Sequence, residues 1–399
     1  MPRPAHRPPD RARLVGAFLA AAVAAAMLAA PAHALTVGIA DNKPDMFADP
    51  RFAASGIRTA RLSVGWDALS SPWQLAELDA WLGAAHAANV EPLVSFGHSR
   101  TDRRSLPTPE RLLFEFRRFR ARYPWVREFA TWNEANHCGE PTCHRPRLVA
   151  AYYRKLRHDC PDCRILAAEV LDQPNMVRWI RQFKRAAHSE PRYWGLHNYI
   201  DANRRRTRGT RRMLRAVKGQ VWFTETGGIV ARHNRHKVTF PESARHAATA
   251  TRFLFRRLVR LSRRATRVYI YQWNAGPPPT TWDSGLVGPT GRLRPAYQVV
   301  ARVLRRQEIR RIEAQTGGSA PSGRPGHRAG RREAGPRPCA AGSRSTCADT
   351  VSVGESLRYR PGDGAGPSTF SYTVRSHGVA SHGARRGYVS SMRRTRMSS

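Results

Sequence analysis

The chain has 399 residues with 68 Lys and Arg against 29 Asp and Glu, a formal net charge of +39. Arg far outnumbers Lys and Ala is abundant, the usage of a GC-rich coding sequence, which weakens the charge as a clue to nucleic acid; the competing reading is a polyanion partner, such as an acidic polysaccharide or a nucleic acid. Beyond the first 34 residues no apolar run is long enough to span a bilayer, which excludes a helical membrane protein of several spans.

The N-terminal segment 1–34 places Arg3, Arg7, Arg11 and Arg13 before an uncharged stretch, Leu14 to Ala30, that ends at Ala32-His33-Ala34. This is the layout of a secretory signal peptide, and it predicts cleavage near Ala34 and a soluble, secreted protein without a membrane anchor.

From residue 35 the sequence beats regularly. Strand patterns fall at 35–40, 59–66, 91–98, 127–134, 164–170, 193–199, 220–226 and 267–273. Helical patterns lie between them, clearest at 73–90, 108–123, 147–158, 175–187 and 242–261, with a last helix near 295–306. The basic runs 203–215 and 252–264 space apolar residues between arginines at helical intervals, as solvated helix faces do. Eight strand–helix units in roughly 275 residues, 35–310, suit one domain and predict an α/β (β/α)8 TIM barrel. An open doubly wound sheet would alternate in the same way, but no Gly-x-Gly-x-x-Gly follows the first strand. A barrel assigns chemistry to the C-terminal ends of its strands.

Cys138, Cys143, Cys160 and Cys163 lie in the barrel region, and Cys339 and Cys347 beyond it. Export favours disulfides over a zinc site. Local pairing is the simplest of the three connectivities for the first four, and the sequence does not choose among them. Residues 311–399 turn rich in Gly, Ser, Pro and Arg, which predicts a basic, low-complexity, disordered tail. Within it, 350–374 shows some alternation, compatible with a few strands or with out-of-frame translation.

Two acids stand at strand ends: Glu134 in TWNEANH, closing the fourth strand, and Glu225 in WFTETGG, closing the seventh. In a closed barrel these ends face one cleft from nearly opposite sides. Paired carboxyls so placed suit glycoside hydrolysis, one protonating the leaving oxygen while the other attacks or activates water. At about 5 to 5.5 Å the mechanism would be retaining, and like-charge repulsion would raise one pKa and keep a proton on the acid. Glu169, inside RILAAEV, is a third acid, with a subsite or structural role expected.

With these residues in place the chain resembles the clan A glycoside hydrolases, close to the cellulase-like family 5 pattern, over about residues 35–307. The resemblance implies an acid/base after an Asn on strand four, matching Asn133-Glu134, and a nucleophile on strand seven, matching Glu225. It also implies that Asn133 grips the sugar 2-hydroxyl and that Arg61 and Tyr199 hold Glu225 ionised. His98 and His197 would frame the sugar subsite, and Trp273 would offer a ring face for stacking. The loop 282–298 is similar to one that closes many such barrels. These eight residues on six strand ends are hard to assign to packing. The expectation is a secreted monomeric retaining β-glycosidase acting on a β-linked oligo- or polysaccharide by double displacement, with no metal or organic cofactor. Its rivals are a carbohydrate-binding barrel without turnover and a basic surface protein that binds anionic polymers.

Overall fold

The computed structural model describes residues 35–232, 239–277 and 281–316. The segment 1–34 and the tail beyond 316 lie outside the described residues, as do the expectations that fall on them.

Nine parallel strands form one sheet: β1 (Thr36–Ala40), β2 (Thr59–Gly65), β3 (Glu91–Gly97), β4 (Glu128–Ala130), β5 (Arg164–Leu166), β6 (Glu169–Leu171), β7 (Tyr193–His197), β8 (Gln220–Thr226) and β9 (Ala265–Tyr271). β1 pairs with both β2 and β9, and the order runs outward from it to β5 on one side and β6 on the other. β5 and β6 are the two halves of the single strand expected at 164–170. The lower half bonds β4, the upper half bonds β7, and Ala167 N donates to Tyr193 O at 2.9 Å while Glu169 N donates to Trp132 O at 3.0 Å. That interrupted stave closes the barrel, so the fold is the expected (β/α)8 barrel.

Helices α1 (Asp45–Ala48), α2 (Pro50–Ala54), α3 (Pro72–Ala87), α4 (Pro109–Arg122), α5 (Pro146–Asp159), α6 (Met176–Ala187), α7 (Tyr199–Asn203), α8 (Arg208–Ala216), α9 (Ala244–Phe253) and α10 (Pro295–Thr316) follow the strands. Several begin as their sequences dictate. α4 has Pro109 at its first turn and Thr108 as a cap accepting from Arg111 N, and α9 has Ser243 accepting from His246 N. α9 passes into a π-turn, Leu254–Leu258, and a 3₁₀ turn, Val259–Leu261, where one long helix was expected. α10 continues to Thr316 rather than stopping near 306, because QEIRRIEAQ is built of helix formers and Arg311 pairs with Glu308 one turn back at 2.7 Å.

The core has two parts. Outside the barrel, helix side chains meet the strands: Phe96, Phe116, Phe119 and Phe129 pack edge-on and stacked, Trp132 stacks on Tyr152, and Trp179, Phe183 and Trp194 form a second group. Burying each such ring contributes about 3 kcal/mol, an upper figure because unfolded chains are already partly collapsed. Inside the barrel, Ala40, Leu93, Ala130, Leu166, Trp222 and Tyr269 make an apolar layer. Below it Glu128 accepts from Arg267 at 2.6 and 2.8 Å and pairs with Arg164. Above it the lining turns polar, and the site begins.

Candidate active site

Arg61 rises from the middle of β2 and is 2% exposed. Its guanidinium is spent on three partners: Glu169 through Nε at 2.7 Å and Nη2 at 2.5 Å, Glu225 through Nη1 at 2.9 Å, and Asn133 Oδ1 through Nη2 at 2.7 Å. Ser95, two residues before Gly97 on β3, adds a donor to Glu169 at 2.5 Å. Burial would lower the Arg61 pKa, yet Glu169, and then Glu225 and Glu134, raise it above its ordinary range. Burial likewise pushes Glu169 up, and Arg61 more than reverses this and holds the carboxyl ionised. Glu169 is therefore the buried counter-ion that anchors Arg61.

The chain keeps its ladder through Asn133, whose N–H reaches Phe96 O at 2.6 Å, and then turns sharply at Glu134, where φ is 45°. A non-glycine residue in the left-handed region carries strain that its surroundings must hold in place. Here the turn lifts the Glu134 carboxylate into the mouth. Glu225, at the end of β8, takes one donor on each oxygen: Arg61 Nη1 on Oε2, and the Tyr199 hydroxyl on Oε1 at 3.0 Å. One carboxylate oxygen of Glu134, one of Glu225 and a ring nitrogen of His197 all lie within 4.8 Å of one another. The two carboxylates are partly open, 23% and 16% exposed, while His197 beneath them is sealed.

His197 Nδ1 stands 3.1 Å from Glu134 Oε1, and its Nε2 3.7 Å from Glu169. Burial lowers the imidazole pKa, but Glu225, Glu134 and Glu169 together raise it to about 9, so the ring is a cation at neutral pH. The pocket thus sets two cations against three carboxylates. Burial also drives Glu134 upward, and His197, His137 and Arg61 outweigh it and leave the carboxyl below its usual range. This departs from the expectation that crowding of the two acids would raise one of them, because the cations beside Glu134 act more strongly than Glu225 does.

The structure brings Arg61, Asn133, Glu134, His197, Tyr199 and Glu225 together. His98 has its Nδ1 2.7 Å from Glu140, which also accepts from Trp132 at 3.2 Å. Trp273 does not face the cleft, and its stacking role is corrected here. β9 ends at Tyr271, Asp41 draws the Trp273 and Asn274 N–H groups toward β1 at 3.1 Å each, and the Trp273 indole donates to Asp49 at 2.9 Å. The ring is 1% exposed, packed between Phe52 and Tyr297.

Two aromatics missed in the sequence stand nearer the acids. Tyr271 has its phenol pushed up by burial and then by Glu225. Trp282 meets Tyr199 edge-on with centroids 5.0 Å apart. The period of two in ATRVYIY marks Tyr271 as inward-facing with Arg267 and Tyr269. Nothing in the local pattern marks Trp282, which reaches the site from a loop.

Among the described residues, Glu134, His197 and Glu225 form one of two groups whose donor atoms lie close enough for a cation, but Arg61 and His197 already contact the same carboxylates. Cys138, Cys143 and His144 also lie close, with the two cysteines joined in a disulfide; Cys160 and Cys163 form the second. Both bridges are the local pairs.

No family model and no curated protein matches the chain. Solved structures do. GH5_18 from Streptomyces cattleya, in complex with Manβ1-4GlcNAc, aligns at TM-score 0.51 and 16% identity over 73% of this chain and 83% of its own. Fungal β-1,4-galactanase aligns at TM-score 0.51 and 13% identity over 67% of this chain and 100% of that one. The endo-1,4-β-xylanase from Caldicellulosiruptor owensensis aligns at TM-score 0.50 and 11% identity over 67% and 97%. At such identities the likeness establishes the fold, the (β/α)8 barrel that these proteins share with this chain.

Proposed function

We propose that the protein is a retaining β-glycosidase in which Glu225 is the nucleophile and Glu134 the general acid/base. The observation that carries this reading is the approach of the two carboxylates to within 4.8 Å across the barrel mouth. That spacing suits direct attack on the anomeric carbon and leaves no room for the intervening water of an inverting pair.

The surroundings support the division of roles. Glu225 takes one donor on each oxygen, Arg61 on Oε2 and the Tyr199 hydroxyl on Oε1, so the carboxylate is held in a fixed orientation for attack. The protonated His197 ring donates to Glu134 across the 3.1 Å contact, so the imidazole stores the proton that Glu134 delivers. Glu225 is the largest influence raising the His197 pKa, so loss of its charge on forming the glycosyl ester weakens the imidazole's hold on that proton. As Glu225 attacks the anomeric carbon, the proton passes through Glu134 to the departing oxygen; in the second step Glu134 takes a proton from the water that cleaves the ester and returns it to His197. Asn133 presents its amide beside the acids with its carbonyl pinned by Arg61, which suits a hydrogen bond to the sugar 2-hydroxyl. Trp282 and Tyr271 replace Trp273 as candidate sugar-stacking rings. Because the neighbours that share this fold are named for β-linked mannosyl, galactan and xylan ligands or substrates, a β-linked glycan is the substrate class we favour.

The basic, apolar leader 1–34 and the two disulfides support export. Among the described residues, no helix is long and apolar enough to cross a membrane.

The test is a panel of nitrophenyl β-glycosides. Glu225→Gln should abolish turnover of every substrate that the native protein cleaves. Glu134→Ala should lose about 10²- to 10⁴-fold on poor leaving groups, retain reaction on dinitrophenyl ones, and recover with azide to give a β-glycosyl azide. Native rates in both variants would remove the assignment.

A further inference from the structure

Outside the barrel, away from the mouth, α6 and α8 pack side by side. Their sequences, MVRWIRQFKRAA and RGTRRMLRA, contain seven arginines and one lysine and no acidic residue. Between them lies a cavity of about 330 Å³ lined by Arg181, Arg212, Arg215, Val177 and Ala216. Arg212 is fixed by donating to Pro174 O at 3.1 Å. Arg181 and Arg215 have no ion pair among the described residues.

The acids that could answer this charge are committed elsewhere. Glu190 pairs with Lys184. Asp172 and Asp201 are buried, and they accept the backbone N–H groups of Ile200, Asp201, Gly209 and Thr210. Three guanidiniums around one cavity repel one another, and a bound anion relieves that repulsion. Arginine forks match the two-oxygen edge of a sulfate or carboxylate. Val177 and Ala216 supply a small aliphatic patch against which a sugar ring can lie.

The exposed large apolar residues among the described ones are Trp73, Phe114, Leu293, Ile309 and Ile312, none of them on α6 or α8. This face therefore lacks the stacking platform that single-stranded nucleic acid uses. We infer that the α6–α8 cavity is a binding site for an anionic polysaccharide, sulfated or uronic, separate from the barrel mouth.

The experiment compares the full-length protein with Arg181→Gln/Arg212→Gln/Arg215→Gln. A control, Arg302→Gln/Arg305→Gln/Arg306→Gln, removes equal charge from α10. A labelled heparin octasaccharide and a labelled DNA duplex of similar charge are titrated by anisotropy at several salt concentrations. The site variant should lose about tenfold or more in octasaccharide affinity and show a shallower salt dependence, while the control stays within about twofold. Arg215→Gln alone, with its thermal unfolding unchanged, should give an intermediate loss. Equal losses in the site variant and the control would overturn the proposal, because the attraction would then be diffuse. Binding of the duplex as tight as that of the octasaccharide, lost in the same variant, would overturn the polysaccharide assignment.

Discussion

Arg61 is the residue on which the polar half of the barrel depends. One guanidinium bridges a buried counter-ion, Glu169, the Asn133 amide and the Glu225 carboxylate, so charge balance and site geometry are the same set of bonds. Removing one member of a buried pair strands the other charge, at a cost of about 3–5 kcal/mol, whereas replacing both with apolar groups can be nearly neutral. Arg61→Ala should therefore lower urea stability by about that amount. Arg61→Met/Glu169→Leu should recover most of the stability but no turnover, since Glu225 would still lack its Arg61 donor and keep only the Tyr199 hydroxyl. A double variant as unstable as the single one would show that the pair is not coupled. Sequence reading reached Arg61 through its place on the second strand. It left Glu169 open between a subsite and a structural role, because a strand pattern does not reveal which side chain an inward acid will meet.

The elements deliver these side chains through their ends, and the ends were the least legible part of the chain. The alternation of strands and helices was plain in the sequence, since apolar periodicity is a local signal. Where a strand stops depends on distant partners. Trp273 lies in phase with Arg267, Tyr269 and Tyr271 and would face inward if β9 continued, but Asp41, more than 200 positions away in the chain, captures the backbone and turns the ring into the core. The break between β5 and β6 arises in the same way, from competing bonds to β4 and β7. The end of β8 has a visible guard in Gly228, where a Cβ would sit 2.1 Å from Ala247 O and 2.3 Å from Ala247 Cα. Gly228→Ala must push α9 away from the segment after Glu225. It should lower kcat more than it raises KM, and the melting temperature should fall by several degrees. An unchanged kcat would mean that α9 does not position the nucleophile.

At the scale of the whole molecule, stability should depend on pH in a direction set by the site. Burial, then repulsion from Asp201, raises Asp172 to about 7, and His197 rises to about 9. Between about pH 4 and 9 these two groups bind more protons folded than unfolded, so they make the molecule less stable as pH rises. The carboxyls held low, Glu134 and Glu169, act in the opposite sense, and their contribution is lost only in acid below the ordinary carboxylate range. Melting temperature should fall from pH 6 to pH 9. Asp172→Asn should flatten the lower part of that decline and His197→Gln the upper part, and a rise over the same range would contradict this account of the charges. The measurement that bears most directly on the whole reading is covalent trapping. The protein is incubated with dinitrophenyl 2-deoxy-2-fluoro-β-glycosides of glucose, mannose, galactose and xylose, and the labelled peptide is mapped by mass spectrometry. The account predicts one glycosyl adduct, on Glu225, that Glu225→Gln abolishes. An adduct on Glu134 or any other residue, or no adduct from a sugar whose nitrophenyl glycoside the protein hydrolyses, would contradict it.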